Sequence, residues 1–252
     1  MGGLGNACLY STKILWCLGI SVFLFSCTVS NNFYVNNPVP FGKGTARGYV
    51  GLASGIQPKV DSVSVIDGRV YYTEKISVAP ILALGAQIGV SKQADVRVAL
   101  HFPKILGGIG LRGGFQYSFF PAESKVNMAL GTDLGFVVSK DSIRLFGWDW
   151  TASALDKTSN SALNGDVFLP VSFKLGDEAN MVITPRYSFY KMYMREFEHR
   201  DYGIPHNFRS QTITIGLQIK KIYLETSIMH SNNIFYTHVG IAKIISIHPD
   251  DE

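Results

Sequence analysis

Strict alternation of apolar with small or polar residues, no helical period beyond the first 26 residues, and an even number of strand-length runs together predict an all-β fold. The expected architecture is an antiparallel up-and-down β-barrel of about ten strands over 45–247. Leu82, Leu84, Ala86, Ile88 and Val90 alternate with Ala83, Gly85, Gln87 and Gly89. Val126, Met128, Leu130, Thr132, Leu134 and Phe136 alternate with Asn127, Ala129, Gly131, Asp133 and Gly135. Ile213, Ile215, Leu217 and Ile219 alternate with Thr212, Thr214, Gly216 and Gln218.

Taken in order, the expected strands are 45–55, 76–90, 94–101, 108–120, 125–138, 166–175, 180–194, 209–219, 222–230 and 234–247. From the second strand on, every other connection is short: 91–93, 121–124, 176–179 and Lys220-Lys221. The others include the long segments 56–75, 139–165 and 195–208. Long connections thus gather at one end of the sheet and tight turns at the other, and an even strand count brings the C-terminus back to the tight-turn end. The run 143–151 is expected as a hairpin-like part of a loop, not an eleventh strand.

The face opposite the apolar one carries paired glycines (Gly85 with Gly89, Gly110 with Gly114, Gly131 with Gly135), together with Gln87, Gln116 and charges. Glycine weakens strands and offers water nothing to solvate, so this face suits the interior of a narrow barrel better than a wet exterior. The barrel is therefore expected to be transmembrane, with Asp95, Arg97, Arg112, Asp133, Arg186 and Glu225 facing the lumen as a salt-bridged plug or a narrow polar path. Phe115, Tyr117, Phe119 and Phe120, and separately Tyr187, Phe189, Tyr190 and Tyr193, are expected as interfacial girdles. The alternative, a soluble lipid-anchored β-barrel binding an apolar ligand inside, requires the apolar face to point inward.

Before the barrel, Lys13, the apolar run 14–25 and a small residue at 26 have the three parts of a secretory signal, and the run is shorter than the ~20 residues that span a bilayer. Leu24-Phe25-Ser26-Cys27 resembles the lipobox of bacterial lipoproteins, which implies acylation of Cys27 by the lipoprotein-processing machinery. The expected division is a signal peptide at 1–26, a lipid-anchored tether at 27–44, the barrel at 45–247 and a polar tail at 248–252. The tether reading rests on the Asn- and Pro-rich stretch 28–43. With Cys8 and Cys17 removed, Cys27 is alone, so neither an internal disulfide nor a cysteine metal site is expected. Only 17% of residues are charged, the net charge is +4, and no basic cluster points to nucleic acid.

The chain resembles the small outer-membrane β-barrel proteins of Gram-negative bacteria in its pattern over 45–247, although it ends 244–247 and then His248-Pro249-Asp250-Asp251-Glu252 instead of on an aromatic residue. That resemblance implies outer-membrane lipids and the barrel-insertion machinery as partners, and a non-enzymatic role as narrow channel, surface receptor or structural barrel. His230-Ser231-Asn232-Asn233 resembles the His-x-Ser-Asn motif of outer-membrane lipid A deacylases, which would make the protein a lipid A-modifying enzyme. Proton sharing there needs His and Ser two apart on one strand face, whereas Ser231 is adjacent to His230 and Asn232 takes its place, so a hairpin turn is the simpler reading. His199 and His206, beside Glu196, Glu198 and Asp201, read as a solvated loop. Trp148 and Trp150 flank Asp149 on that hairpin-like run, and the glycine-rich 107–114 lacks the helix and Lys-Ser/Thr of a phosphate loop. Neither a metal nor a cofactor is expected.

Overall fold

The computed structural model describes residues 33–66, 69–103, 108–140, 143–145, 148–150, 158–196, 203–231 and 234–247. The signal segment, Cys27, His199, Glu198, Asp201 and the 248–252 tail lie outside the described residues, as do Asn232 and Asn233. Thirteen strands are described: β1 (Ala46–Ile66), β2 (Arg69–Gly89), β3 (Ala94–Pro103), β4 (Gly108–Ser118), β5 (Val126–Lys140), β6 (Ile143–Leu145), β7 (Trp148–Trp150), β8 (Thr158–Phe168), β9 (Val171–Lys174), β10 (Ala179–Glu196), β11 (Gly203–Ile219), β12 (Ile222–Ser231) and β13 (Ile234–Ile247).

Antiparallel pairing runs β11-β12-β13-β1-β2-β3-β4-β5-β8-β10, and β10 pairs with β11 to close the ring. β8 and β9 are two parts of one barrel strand. Gly131 faces Phe168 and Val126 faces Phe173 in a single register, and β10 keeps one register across the same break. The interruption falls at Pro170, which has no N–H to give to a ladder. The barrel therefore has ten strands, and its first and last strands pair from Ala46 against Ile247.

All three connections expected to be long prove to be largely strand, 139–165 through the end of β5, the pair β6 and β7, and a β8 that begins at Thr158 instead of 166. β1 pairs with β13 only over Ala46–Ala53 but with β2 all the way to Ile66 opposite Arg69, so beyond Ala53 the two strands form a ribbon that leaves the barrel. β11 meets β12 only from Gln211 on, while it pairs with β10 back to Gly203; β10 in turn keeps β8 as far as Glu196, so here a wider sheet continues past the ring. Past the closed ring a strand no longer separates a lumen from an exterior, and the period-two pattern that announces the barrel strands lapses there although the backbone pairing does not. The pair Asp67-Gly68 between β1 and β2 is itself a hairpin signal in the sequence. β6 and β7 form a separate two-stranded sheet, Ile143 opposite Trp150, so neither is a strand of the barrel.

The faces sort as a membrane barrel requires. Leu134 is 61% exposed, whereas its neighbour Asp133 is 1% exposed and turned inward. Leu84, Val98, Leu111, Phe136, Leu163, Val167, Ile213, Ile228, Val239 and Ile241 are all exposed on the outside. Phe115, Tyr117, Phe119, Phe120, Tyr187 and Phe189 are exposed with them, but Tyr190 is buried because it falls on the inward row, so it belongs to no girdle. The soluble alternative fails on the same ground: large apolar side chains line the outside, and the described lumen holds arginines, carboxylates and amides.

A ten-strand ring is wider than the eight-strand size whose side chains just fill the bore. The extra room is taken by the chain itself. Residues 33–38 and Pro40 are buried inside the barrel, with Phe33, Tyr34 and Asn36 no more than 1% exposed. Over 33–41, the stretch expected as an external tether is a segment within the lumen. A tether in water would leave Phe33, Tyr34 and Val35 solvated, and the bore offers them a place to bury.

Candidate functional site

The lumen segment joins β1 through a turn at the tight-turn mouth. Gly42 and Gly44 take φ of 81° and 86°, a left-handed conformation open to glycine at little cost. Thr45 Oγ1 donates to the carbonyls of Phe41 (2.6 Å) and Gly42 (2.9 Å), and the Gly44 amide donates to the Gly89 carbonyl at 2.9 Å. At the same level Asp95 accepts from the Phe41 amide (3.5 Å) and from Gln87 Nε2 (3.0 Å), while the Arg47 guanidinium lies 4.4 Å over the Phe41 ring.

Further in, donors from the wall grip the segment. Ser118 Oγ donates to the Pro38 carbonyl and Gln116 Nε2 to the Asn37 carbonyl, both at 2.7 Å. Arg97 Nη1 donates to Gln116 Oε1 at 3.4 Å, which turns the amide nitrogen toward the segment. Asn36 Oδ1 accepts from Arg97 (3.5 Å) and Arg186 (3.3 Å). The Tyr34 ring has the guanidinium carbons of Arg97, Arg112 and Arg186 at 4.2, 5.3 and 5.7 Å from its centroid, and His101 meets it edge-on at 5.8 Å. The face of an aromatic ring is negative, so it suits a cluster of cations that have left water.

Two carboxylates hold those arginines. Asp166 pairs with Arg112 and, at 2.9 Å, with Arg186. Asp133 lies 3.8 Å from Arg97 and 4.0 Å from Arg112. Three guanidiniums against two carboxylates leave the zone around Tyr34 formally positive, which explains why acceptor oxygens and a ring face are the groups the segment presents there.

The opposite wall is small and apolar. Phe33 and Val35 bury among Tyr49, Ala53, Ala83, Ala99, Tyr223, Ala242 and Ile244. A Cβ at Gly51 or Gly240 would overlap the Phe33 ring, so these two positions form the slot that admits it. Beside Phe33, His238 Nε2 is 2.7 Å from Glu225 Oε1 and its Nδ1 meets the Ser54 carbonyl. Gly240→Ala is expected to destabilise the barrel by about 1–3 kcal/mol through overpacking, and Phe33→Ala in the same chain to restore most of the loss. Unfolding midpoints from the heat-dependent gel shift of the three variants would measure this.

Of the charged residues read as lumen-facing, Arg97, Arg112, Asp133 and Arg186 come together around Tyr34, Asp95 sits at the mouth, and Glu225 stands on the other wall with His238; all six are buried. Asp166 went unread because it opens the expected strand 166–175, where alternation had not yet assigned a face. His238 went unread because both faces of β13 are apolar enough to hide direction. Tyr34, Asn36 and Asn37 were hidden by the tether reading; the run Phe33-Tyr34-Val35 in a segment meant for water was the available signal. His230 lies on the outward row against Phe235, with ring centroids 4.7 Å apart. Ser231 is buried on the inward row and donates to the Arg209 carbonyl at 2.9 Å. The two share no proton path, and the deacylase reading has no geometry to rest on. Among the described residues no group of three or more His, Cys, Asp or Glu could hold a metal ion.

No protein-family model matches the chain, and no curated protein matches it. Solved structures similar to it include Ail, the attachment invasion locus protein of Yersinia pestis, at 10% identity and a TM-score of 0.31, covering 81% of this chain and 99% of that one. Another is an outer membrane channel from Pseudomonas putida F1, at 9% identity and a TM-score of 0.38, covering 87% and 100%. A third is the outer membrane protease OmpT from Escherichia coli, at 10% identity and a TM-score of 0.27, covering 81% and 91%. The chain has an outer-membrane-type β-barrel fold, closed by ten antiparallel strands.

Proposed function

We propose that this protein is an outer-membrane β-barrel whose lumen is a narrow polar path, held shut by its own residues 33–41. The observation that carries this reading is the grip on the segment: Arg97, Arg186, Gln116 and Ser118 all donate to it, and three guanidiniums surround Tyr34. Such contacts are polar, about 1 kcal/mol each where the donor is neutral and about 1.5–3 where it is a guanidinium, and they act beside the apolar burial of Phe33 and Val35. Outward rows of leucine, isoleucine, valine and aromatic side chains support residence in a bilayer.

In planar bilayers the wild-type protein is expected to be almost silent, and the Tyr34→Ala/Asn36→Ala double variant to give discrete conductance steps. A variant as silent as wild type, with its barrel intact by gel shift, would overturn the reading. Acylation of Cys27 belongs to the same proposal, with outer-membrane lipids, the insertion machinery and the lipoprotein-processing machinery as partners. Incorporation of a labelled palmitate that disappears in Cys27→Ser is the expected result; label retained in that variant would remove the anchor from this position.

A further inference from the structure

The wall that holds residues 33–41 is organised to read a polypeptide, and we infer that the lumen is a binding site for an extended peptide supplied in trans, its own segment being the resident occupant. This inference rests on the plug reading and names the ligand class of the same site. Two of the contacts read backbone alone: Ser118 and Gln116 donate to successive carbonyls, those of Pro38 and Asn37. Side chains set the rest of the specificity. Arg97 and Arg186 converge on one carboxamide oxygen, that of Asn36, and the guanidiniums of Arg97, Arg112 and Arg186 surround a ring two residues earlier, that of Tyr34.

Asp95 at the mouth and the Tyr223 hydroxyl beside Asn36 accept from the segment, but most of the groups that bond it are donors, and partners on the wall hold them independently of it. Asp166 and Asp133 hold the arginines, and Arg97 holds the Gln116 amide. A wall of preset donors selects a ligand rich in carbonyl oxygens that also carries a π face. An extended chain with an aromatic residue, an asparagine two positions later and a following proline supplies both, as Tyr34, Asn36 and Pro38 do. Small inorganic ions supply neither, and a sugar lacks the carbonyl ladder.

The cis segment competes with any such ligand at the millimolar-range effective concentration typical of a short tether, so the site is masked in the wild-type chain. The test uses the full chain in detergent, as wild type and as Tyr34→Ala/Asn36→Ala, with a fluorescent peptide of the sequence Phe-Tyr-Val-Asn-Asn-Pro-Val-Pro-Phe. Fluorescence anisotropy is expected to report binding to the double variant at least about tenfold tighter than to wild type. The same peptide with alanine at its tyrosine and first asparagine is expected to bind the double variant at least about tenfold more weakly, by loss of the ring and carboxamide contacts.

Equal binding of the two peptides, or binding of neither, overturns the inference. Because anisotropy is read without conductance, the two readings fail separately. A variant that conducts but ignores the peptide keeps the plug and loses the peptide site. A variant that stays silent yet distinguishes the two peptides keeps the site and loses the gate.

Discussion

Replacing Asp166 with alanine is expected to lower the stability of the folded barrel by about 3 kcal/mol, the cost of breaking a buried ion pair by removing one partner. Asp166 pairs with both Arg112 and Arg186, and all three side chains are almost wholly withdrawn from solvent. Without it, Arg97, Arg112 and Arg186 face Asp133 as the one carboxylate left around Tyr34, and the local excess of positive charge rises from one to two. Asp166→Asn keeps the volume and one acceptor, so its loss is expected to be smaller. The exposed pair of Lys220 with Glu178, 3.0 Å apart but 66% and 63% accessible, is the control, and Lys220→Ala is expected to change nothing measurable. Urea titrations in lipid vesicles would rank the three. An Asp166→Ala barrel as stable as Lys220→Ala would mean that the lumen solvates its charges as water does.

An arginine in place of Leu134 is expected to have an effect of similar size for a different reason. Leu134 sits on the outward row of β5 at 61% exposure, between Thr132 and Phe136. In water an outward leucine replaced by arginine is harmless. In the middle of a bilayer the same change costs about 2–4 kcal/mol, falling toward zero near the interfaces. Vesicle unfolding titrations of Leu134→Arg beside Lys243→Arg, an outward position that already carries charge, separate the two solvents. Equal stability of the two variants would take the outer face out of the hydrocarbon.

Both effects depend on a distinction that is legible in the primary sequence. Alternation along β3, β4, β5 and β12 places Asp95, Arg97, Arg112, Asp133 and Glu225 on rows opposite the leucines and valines, because side chains on a strand switch faces at every residue. Two glycines in the lumen need no more than this local rule to be placed on the inner row, yet their reason for being glycine is not local. Gly51 and Gly240 are small because Phe33 occupies the space in front of them. The extended pairings of β1 with β2 and of β11 with β10 and β8 are illegible for a related reason: beyond the closed ring there is no inside to select a pattern, and the pairing is made by the backbone.

The sequence by itself determined the strand number, the antiparallel order, the short connections at one end and the sign of the faces along β3, β4, β5 and β12, since all of these follow from period two and from turn residues within a few positions. Only the tertiary structure decided what fills the barrel. Asn36 meets Arg97 and Arg186, 61 and 150 residues further along the chain, and the Asn37 and Pro38 carbonyls meet β4 79 and 80 residues away. A segment of asparagine and proline has no periodicity of its own with which to announce such partners. Its place is set by a bore that exists once ten strands have closed, with donors on one wall and a glycine-floored slot on the other.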